Sequence, residues 1–255
     1  MIKSIIFDGG GTIWDSMKIL HDSYKWAFEQ LELCNKETFP YILEDCNKLC
    51  SLKDFNTEKG KSKGFIALFL TKIDIKVILY SEDPNEKLIN IVKDTEIRYK
   101  DFLQLSESME KLLTKYLYEI FDDTKYPLCN SVVEALESLN QSGLLLAMVS
   151  NRRKDSTMKI LNSHKLDNLF KCIITWEDQT RPKPSPEGIE KAMQKLNLKK
   201  EETIFVGDSS VDILSGKSAG LKTIGVLSGM GDYDILKKSG ADIIINNLSE
   251  LLKLI

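Results

Sequence analysis

The hydrophobic and polar positions change their period twice along the chain. Lys3 to Phe7 (KSIIF) is a short apolar run rich in β-branched residues, stopped by Gly9-Gly10-Gly11, and reads as a buried strand. From about Ser16 to Tyr126 the apolar residues fall at mixed three- and four-residue spacing. Met17–Leu33, Lys63–Lys72, Asn85–Leu105 and Glu107–Phe121 are therefore predicted helices, and Pro40 and Pro84 stand where helices would start. From Pro127 the texture alternates. Helices are predicted over Ser131–Gln141, with Gly143 just past its end, and over Asp155–Ser163, Pro186–Leu196, Asp212–Ala219 and Leu248–Leu252. Between them lie apolar strands at Leu144–Val149, Cys172–Thr175, Thr203–Val206, Thr223–Val226 and Asp242–Ile245. Strands that are apolar throughout and alternate with helices imply a parallel sheet covered on both faces.

The expected fold class is α/β, with a doubly wound, Rossmann-like core built from residues 1–15 and 127–255. An all-helical domain, residues 16–126, is inserted just after the first strand, with hinges near Ile13–Ser16 and Lys125–Pro127.

Composition narrows the classes of function. A net charge of −3 offers no global basic field for nucleic acid. No apolar run approaches the ~20 residues of a membrane span, and Met1–Phe7 is too short for a signal-peptide core, so a cytoplasmic protein is expected. Cys34, Cys46, Cys50, Cys129 and Cys172 are odd in number and form no CxxC pair. With only His21 and His164 beside them, they read as reduced, buried thiols rather than a zinc site.

Doubly wound sheets bind ligands at the carboxyl ends of their strands, and four polar clusters fall just past strands. These are Asp8-Gly9-Gly10-Gly11-Thr12, Ser150-Asn151, Arg181-Pro182-Lys183-Pro184 and Gly207-Asp208-Ser209-Ser210-Val211-Asp212. Asp8 and Asp208 would converge as hard oxygen ligands, with Asp212 a helical turn beyond Asp208, which is the donor chemistry of Mg²⁺. A single acid after a strand is more simply a helix N-cap, a role open to Asp208 or Ser209. Three converging acids without a cation would repel one another, so the set favours a metal. Ser150 and Asn151 can offer a hydroxyl and backbone N–H groups to a phosphoryl oxygen, and Lys183, stiffened by two prolines, suits a fixed charge. Two other patterns fail. Ser215-Gly216-Lys217-Ser218 lacks the upstream glycine of a phosphate loop, and Gly225…Gly229-Met230-Gly231 lacks dinucleotide spacing.

The order Asp8…Thr12, Ser150, Lys183, Asp208…Asp212 resembles the four motifs of the haloacid dehalogenase-like superfamily, and a helical insert after the first motif resembles its cap domain. The resemblance implies that Asp8 attacks phosphorus, or carbon, to form an aspartyl intermediate. It also implies that Thr12 and Ser150 hold the phosphoryl group, that Lys183 neutralises charge, and that Asp208 and Asp212 bind or position Mg²⁺. The cap would exclude water and set specificity. The substrate would be a small phosphorylated molecule.

One position departs from that pattern. The family's phosphatases carry a second Asp, the general acid/base, two residues after the nucleophile; here stands Gly10. Such a group is usually worth about 10²–10⁴-fold in rate. The family uses the backbone carbonyl at that position as a Mg²⁺ ligand, which glycine retains. Three readings follow: a phosphatase whose leaving group needs little help, such as an acyl or anomeric phosphate, or whose acid is supplied elsewhere; a carbon–phosphorus hydrolase like the phosphonoacetaldehyde hydrolases, using one of the lysines Lys53, Lys59, Lys61 and Lys63 in a cap loop on a phosphonate substrate; and a non-catalytic phosphate-binding or regulatory module.

Overall fold

The computed structural model of the chain describes residues 1–34 and 37–255. Two compact units emerge, Met1–Ser16 with Asp123–Ile255, and Met17–Asp122.

The first unit is built on six parallel strands. β1 (Ser4–Phe7) opens the chain; the helical unit then supplies α1 (Met17–Gln30), α2 (Leu43–Cys50), α3 (Glu58–Thr71), α4 (Ile75–Leu79), α5 (Pro84–Arg98) and α6 (Phe102–Lys115). The α/β series resumes with α7 (Val132–Gln141), β2 (Leu145–Val149), α8 (Lys154–Ser163), β3 (Cys172–Ile174), α9 (Glu187–Leu196) and β4 (Thr203–Gly207). α10 (Ser210–Ser218), β5 (Lys222–Val226), α11 (Tyr233–Lys238), β6 (Ile243–Ile245) and a 3₁₀ segment, Leu248–Lys253, complete it. The strand order is β3-β2-β1-β4-β5-β6, so the chain runs outward from β1 in both directions. Every pairing is parallel, with Phe7 beside Met148 on one side and Val206 on the other. β1 is buried at all four residues, which is why its sequence does not alternate. Ile6, Ala147, Val149, Ile174 and Phe205 pack with Ile189 and Ala192 of α9, while Ile5, Phe7, Leu146, Met148 and Val206 are buried on the opposite face.

The two chain segments at the unit boundary are paired. Asp15 N–H donates to the Pro127 carbonyl at 2.8 Å, Cys129 N–H to that of Ile13 at 3.0 Å, and Trp14 bridges Leu128 antiparallel. The boundary falls after Asp122, ahead of Lys125–Pro127, because Asp123 is buried against the α/β unit. Arg152 Nη2 reaches Asp123 Oδ1 at 2.7 Å and Ser156 Oγ reaches it at 2.8 Å.

In the helical unit the core is aromatic. Tyr24 packs on Phe65 at 4.5 Å between ring centroids, Tyr41 on Phe65 at 5.2 Å, and Phe28 on Phe69 at 5.4 Å. Burying each such ring contributes roughly 1.5–3 kcal/mol before packing terms. Pro84 occupies the first turn of α5, whose N-cap Asp83 accepts from Glu86 N–H at 2.9 Å. Pro40 does not open a helix, since α2 begins at Leu43. Asn85–Leu105 is not one helix either. α5 stops at Arg98, Tyr99 is extended with its hydroxyl donating to the Leu70 carbonyl at 3.1 Å, and α6 starts at Phe102. No glycine or proline marks that break. It is set by a tertiary contact. α6 then widens into a π turn over Tyr116–Ile120. α2, α4 and α11 are short helices that periodicity alone did not reveal.

No helix among the described residues is long and apolar enough to cross a membrane. All five cysteines are free; four are buried and Cys34 is half-buried.

Candidate active site

β1 and β4 are neighbours at the centre of the sheet, and the residue after each is an aspartate. Asp8 and Asp208 thereby meet at the carboxyl edge, joined by Asp212 from the first turn of α10. One carboxylate oxygen from each lies within 4.8 Å of the other two, and all three residues are buried. Asp208 precedes α10 rather than sharing a face of it. Ser209 is the N-cap, and its N–H and hydroxyl both donate to Asp212 Oδ2, at 3.1 and 2.5 Å. This capping box fixes one oxygen of Asp212 and leaves Oδ1 for Lys183 Nζ at 2.7 Å. The same ammonium also donates to Asp8 Oδ1.

Lys183 is only 4% exposed, so its position is set by structure. Asn151 holds the Lys183 main chain from both sides: its Nδ2 donates to the carbonyl at 3.1 Å, and its Oδ1 accepts from the N–H at 3.0 Å. Ser215 Oγ of α10 donates to the Ser185 carbonyl at 2.7 Å. The structure thus gives the Asn151 amide to the lysine loop. Ser150 is buried; its hydroxyl accepts from Arg152 N–H at 3.1 Å and its carbonyl accepts from Gln179 Nε2 at 3.1 Å.

The electrostatics are those of too much negative charge in too little water. Burial pushes the Asp8 carboxyl up to about 6, with Asp212 adding to the rise and Lys183 opposing it. Burial also holds Asp208 well above the usual carboxylate range, reinforced by Asp212 and Asp8. Burial by itself would lower Lys183, but the two facing carboxylates reverse the direction and raise it. One ammonium cannot neutralise three carboxylates.

The loop after β1 shows a division of labour among carbonyls. Gly9 accepts from the N–H groups of Ile13 and Trp14, and Gly11 accepts from Ser228 Oγ at 2.8 Å and from Cys129 Sγ. The Gly10 carbonyl takes no hydrogen bond among the described residues. Thr12, fully buried, has a hydroxyl with no partner. Three buried carboxylates, a spare carbonyl and an unsatisfied hydroxyl form an all-oxygen donor set that fits a small hard cation with a bound oxyanion.

Glycines surround Asp208 for a steric reason. A Cβ at Gly11, which has φ +83°, or at Gly229 would overlap the Asp208 carboxylate, and one at Gly231 would overlap its carbonyl. Met230 N–H donates to Asp208 Oδ2 at 2.7 Å. The Gly229-Met230-Gly231 segment, spaced wrongly for a dinucleotide, is a cradle for this aspartate. Gln179 and Met230 are therefore part of the site although no motif named them, whereas Ser209 stood in a polar cluster as an N-cap candidate followed by an acid at the third helical position. Ser215-Gly216-Lys217-Ser218 lies within or at the end of α10 and forms no phosphate loop.

Gly10 differs from its neighbours. Its φ is not positive, and an added Cβ would meet nothing closer than Ser16 Oγ and Trp14 Nε1, both at 3.4 Å. Nothing in the backbone requires glycine there. Of the four lysines considered for a Schiff base, Lys53 is exposed in a 3₁₀ turn while Lys59, Lys61 and Lys63 lie on α3 rather than in a loop. Lys61 is buried and Lys63 faces Glu96 at 3.8 Å.

Comparison with known proteins shows the family. Residues 56–226, about two-thirds of the chain, match the haloacid dehalogenase-like hydrolase family. The chain belongs to that family. The matched span holds Ser150, Lys183, Asp208 and Asp212, with Asp8 ahead of it. Pyrophosphatase PpaX of Halalkalibacterium halodurans is 39% identical over 124 residues, 49% of this chain and 58% of that protein. The chain thus spans little more than half the length of that relative. Pyrophosphatase PpaX of Oceanobacillus iheyensis aligns over 100% of this chain and 97% of its own length, at 26% identity. A solved structure described as a candidate phosphoglycolate phosphatase from Lactobacillus delbrueckii subsp. bulgaricus superposes with a TM-score of 0.76. It covers 99% of this chain and 97% of that one at 19% identity, and so speaks for the haloacid dehalogenase-like fold.

Proposed function

We propose that the protein is a Mg²⁺-dependent hydrolase of small phosphorylated molecules in which Asp8 is the nucleophile. The observation that carries this reading is the contact of one buried lysine with Asp8 and Asp212, beside Asp208, at the ends of adjacent strands. Asp8, Asp208, Asp212 and the Gly10 carbonyl would hold the cation, directly or through water. Bound there, Mg²⁺ supplies charge neutralisation and Lewis acidity toward the phosphoryl oxygens.

Asp8, with its carboxyl near 6, is ionised at neutral pH and can attack phosphorus as the bond to the leaving oxygen breaks. Water then cleaves the aspartyl phosphate and inorganic phosphate departs. Lys183 offsets the charge that gathers on the transferring group, and the Thr12 hydroxyl and Ser150 hold its oxygens. Asn151 acts by fixing the backbone of Lys183. We assign the helical unit, Met17–Asp122, the specificity role that such an insert has in the family.

Gly10 sharpens the substrate class. With no carboxyl there to protonate a leaving oxygen, the reaction favours leaving groups that depart as stable anions, such as the phosphate released from a phosphoric anhydride or the carboxylate released from an acyl phosphate. The relatives named pyrophosphatase accord with the first. The test is a panel of pyrophosphate, acetyl phosphate, glycerol 3-phosphate and phosphonoacetaldehyde, each with Mg²⁺ and with EDTA. Turnover of the first two that is abolished by EDTA is expected. Turnover indifferent to EDTA, or confined to the phosphonate, would overturn the reading.

A further inference from the structure

The helical unit contains a cavity that none of the chemistry above uses. It has a volume of about 610 Å³, within the ~300–1,000 Å³ range of small-molecule pockets, and opens between α2, the end of α3 and α4. Its wall is largely apolar, including Tyr41, Leu68, Leu70 and Ile75, with Lys72, Asp74 and Lys76 exposed at its polar edge. Among the residues lining it, Asp45 stands apart. It is 5% exposed, yet makes no hydrogen bond or ion pair among the described residues.

A buried carboxylate without a partner is costly unless it is neutralised. Asp45 sits at the third position of α2, where the N-terminal dipole favours a negative charge but supplies only part of what hydration would. The neighbouring cations are engaged elsewhere or held back in solvent. Lys48 pairs with Glu44 at 3.0 Å, and Lys76, beyond ion-pair distance, acts on the Asp45 carboxyl only through space. Burial accordingly raises the Asp45 carboxyl. An anionic group in the lining, an apolar wall and a mouth open to water together define a complementary ligand: a positive nitrogen on a compact hydrocarbon.

We propose that this cavity binds a small organic amine, whose ammonium pairs with Asp45 while its hydrocarbon lies against Leu68, Leu70 and Ile75. The site lies wholly within the helical unit and does not depend on the hydrolytic reading. Its ligand would be cationic, and so distinct from the phosphorylated substrate.

The experiment is a calorimetric and amide-shift titration of the full chain with 2-phenylethylamine and with 3-phenylpropionate, which has a similar shape and the opposite charge. Saturable binding of the amine, at least tenfold tighter than the acid and perturbing the amides of Tyr41, Asp45 and Ile75, is expected. Asp45→Asn should weaken the amine at least tenfold and leave the acid unchanged. Because removing a buried charge changes the fold's stability, Ile73→Trp, which fills the cavity and spares Asp45, provides a second arm and should also abolish binding. Equal binding of the two probes, no binding at millimolar concentration, or undiminished binding in both variants would overturn the proposal.

Discussion

The two units bury their interiors on opposite terms. In the helical unit the densest contacts are rings on rings, Tyr24, Phe28, Tyr41, Phe65 and Phe69, and burial stabilises the fold directly. At the carboxyl edge of the sheet the buried side chains include Asp8, Asp208, Asp212 and Lys183. There burial raises two carboxyls and leaves a net negative charge, so packing works against stability. The difference teaches where chemistry was placed. The strained charge sits on the rigid, fully paired centre of a parallel sheet, held by a capping box, an asparagine clamp and three glycines.

The largest expected effect is at Asp8. Asp8→Asn should lower hydrolysis by about 10⁴-fold or more, since it removes the nucleophile. It should leave the metal-free protein no less stable, because one repelling charge disappears. Parallel measurement of steady-state rates and urea midpoints checks both halves; retention of most of the rate would end the covalent mechanism.

Gly10→Asp tests whether the handicap is only a missing proton donor. The site can accept the side chain, as Ser16 Oγ and Trp14 Nε1 stand 3.4 Å from the new Cβ and φ is not positive. Hydrolysis of glycerol 3-phosphate should rise by up to about 10²–10⁴-fold, and that of acetyl phosphate much less. Equal changes for both substrates would separate Gly10 from leaving-group chemistry.

Phe65→Ala in the aromatic core should cost about 3–5 kcal/mol in an unfolding titration. Asp208→Asn, at an equally buried position, should instead stabilise the metal-free protein at pH 7, because its carboxyl is held above the usual range and asparagine imitates the neutral form. A loss of stability in Asp208→Asn matching that of Phe65→Ala would erase the contrast between the units.

The smallest effect is in pH. The native state of Asp8 keeps its proton up to about 6, while the unfolded chain releases it near 3.8. The native state therefore binds more protons between those values. The Asp8 contribution to metal-free stability falls as pH rises through that window, opposite to a salt-bridged carboxylate. The difference in unfolding free energy between wild type and Asp8→Asn, followed from pH 4 to 7, should widen in favour of the variant, and saturating Mg²⁺ should close the gap.

Much of the architecture was written in hydrophobic pattern. Each strand of the sheet is a short run without alternation, and the polar clusters that follow four of them are the residues the sheet gathers. What the pattern hid was tertiary. The α5–α6 break at Tyr99 depends on a hydroxyl reaching Leu70, and the hold of Asn151 on Lys183 joins residues 32 positions apart. The Gly229-Met230-Gly231 segment looked like a failed nucleotide motif because the object its glycines avoid, Asp208, lies on another strand end. The break between the units shifts to Asp123 for a similar reason, an ion pair with Arg152 that no local spacing announces.

The most direct test is calorimetric titration of the wild-type protein with MgCl₂ near pH 7.5, beside Asp208→Asn. One saturable site in the wild type and its loss in the variant are expected. Absence of Mg²⁺ binding to the wild type, or equal binding by the two proteins, would contradict it.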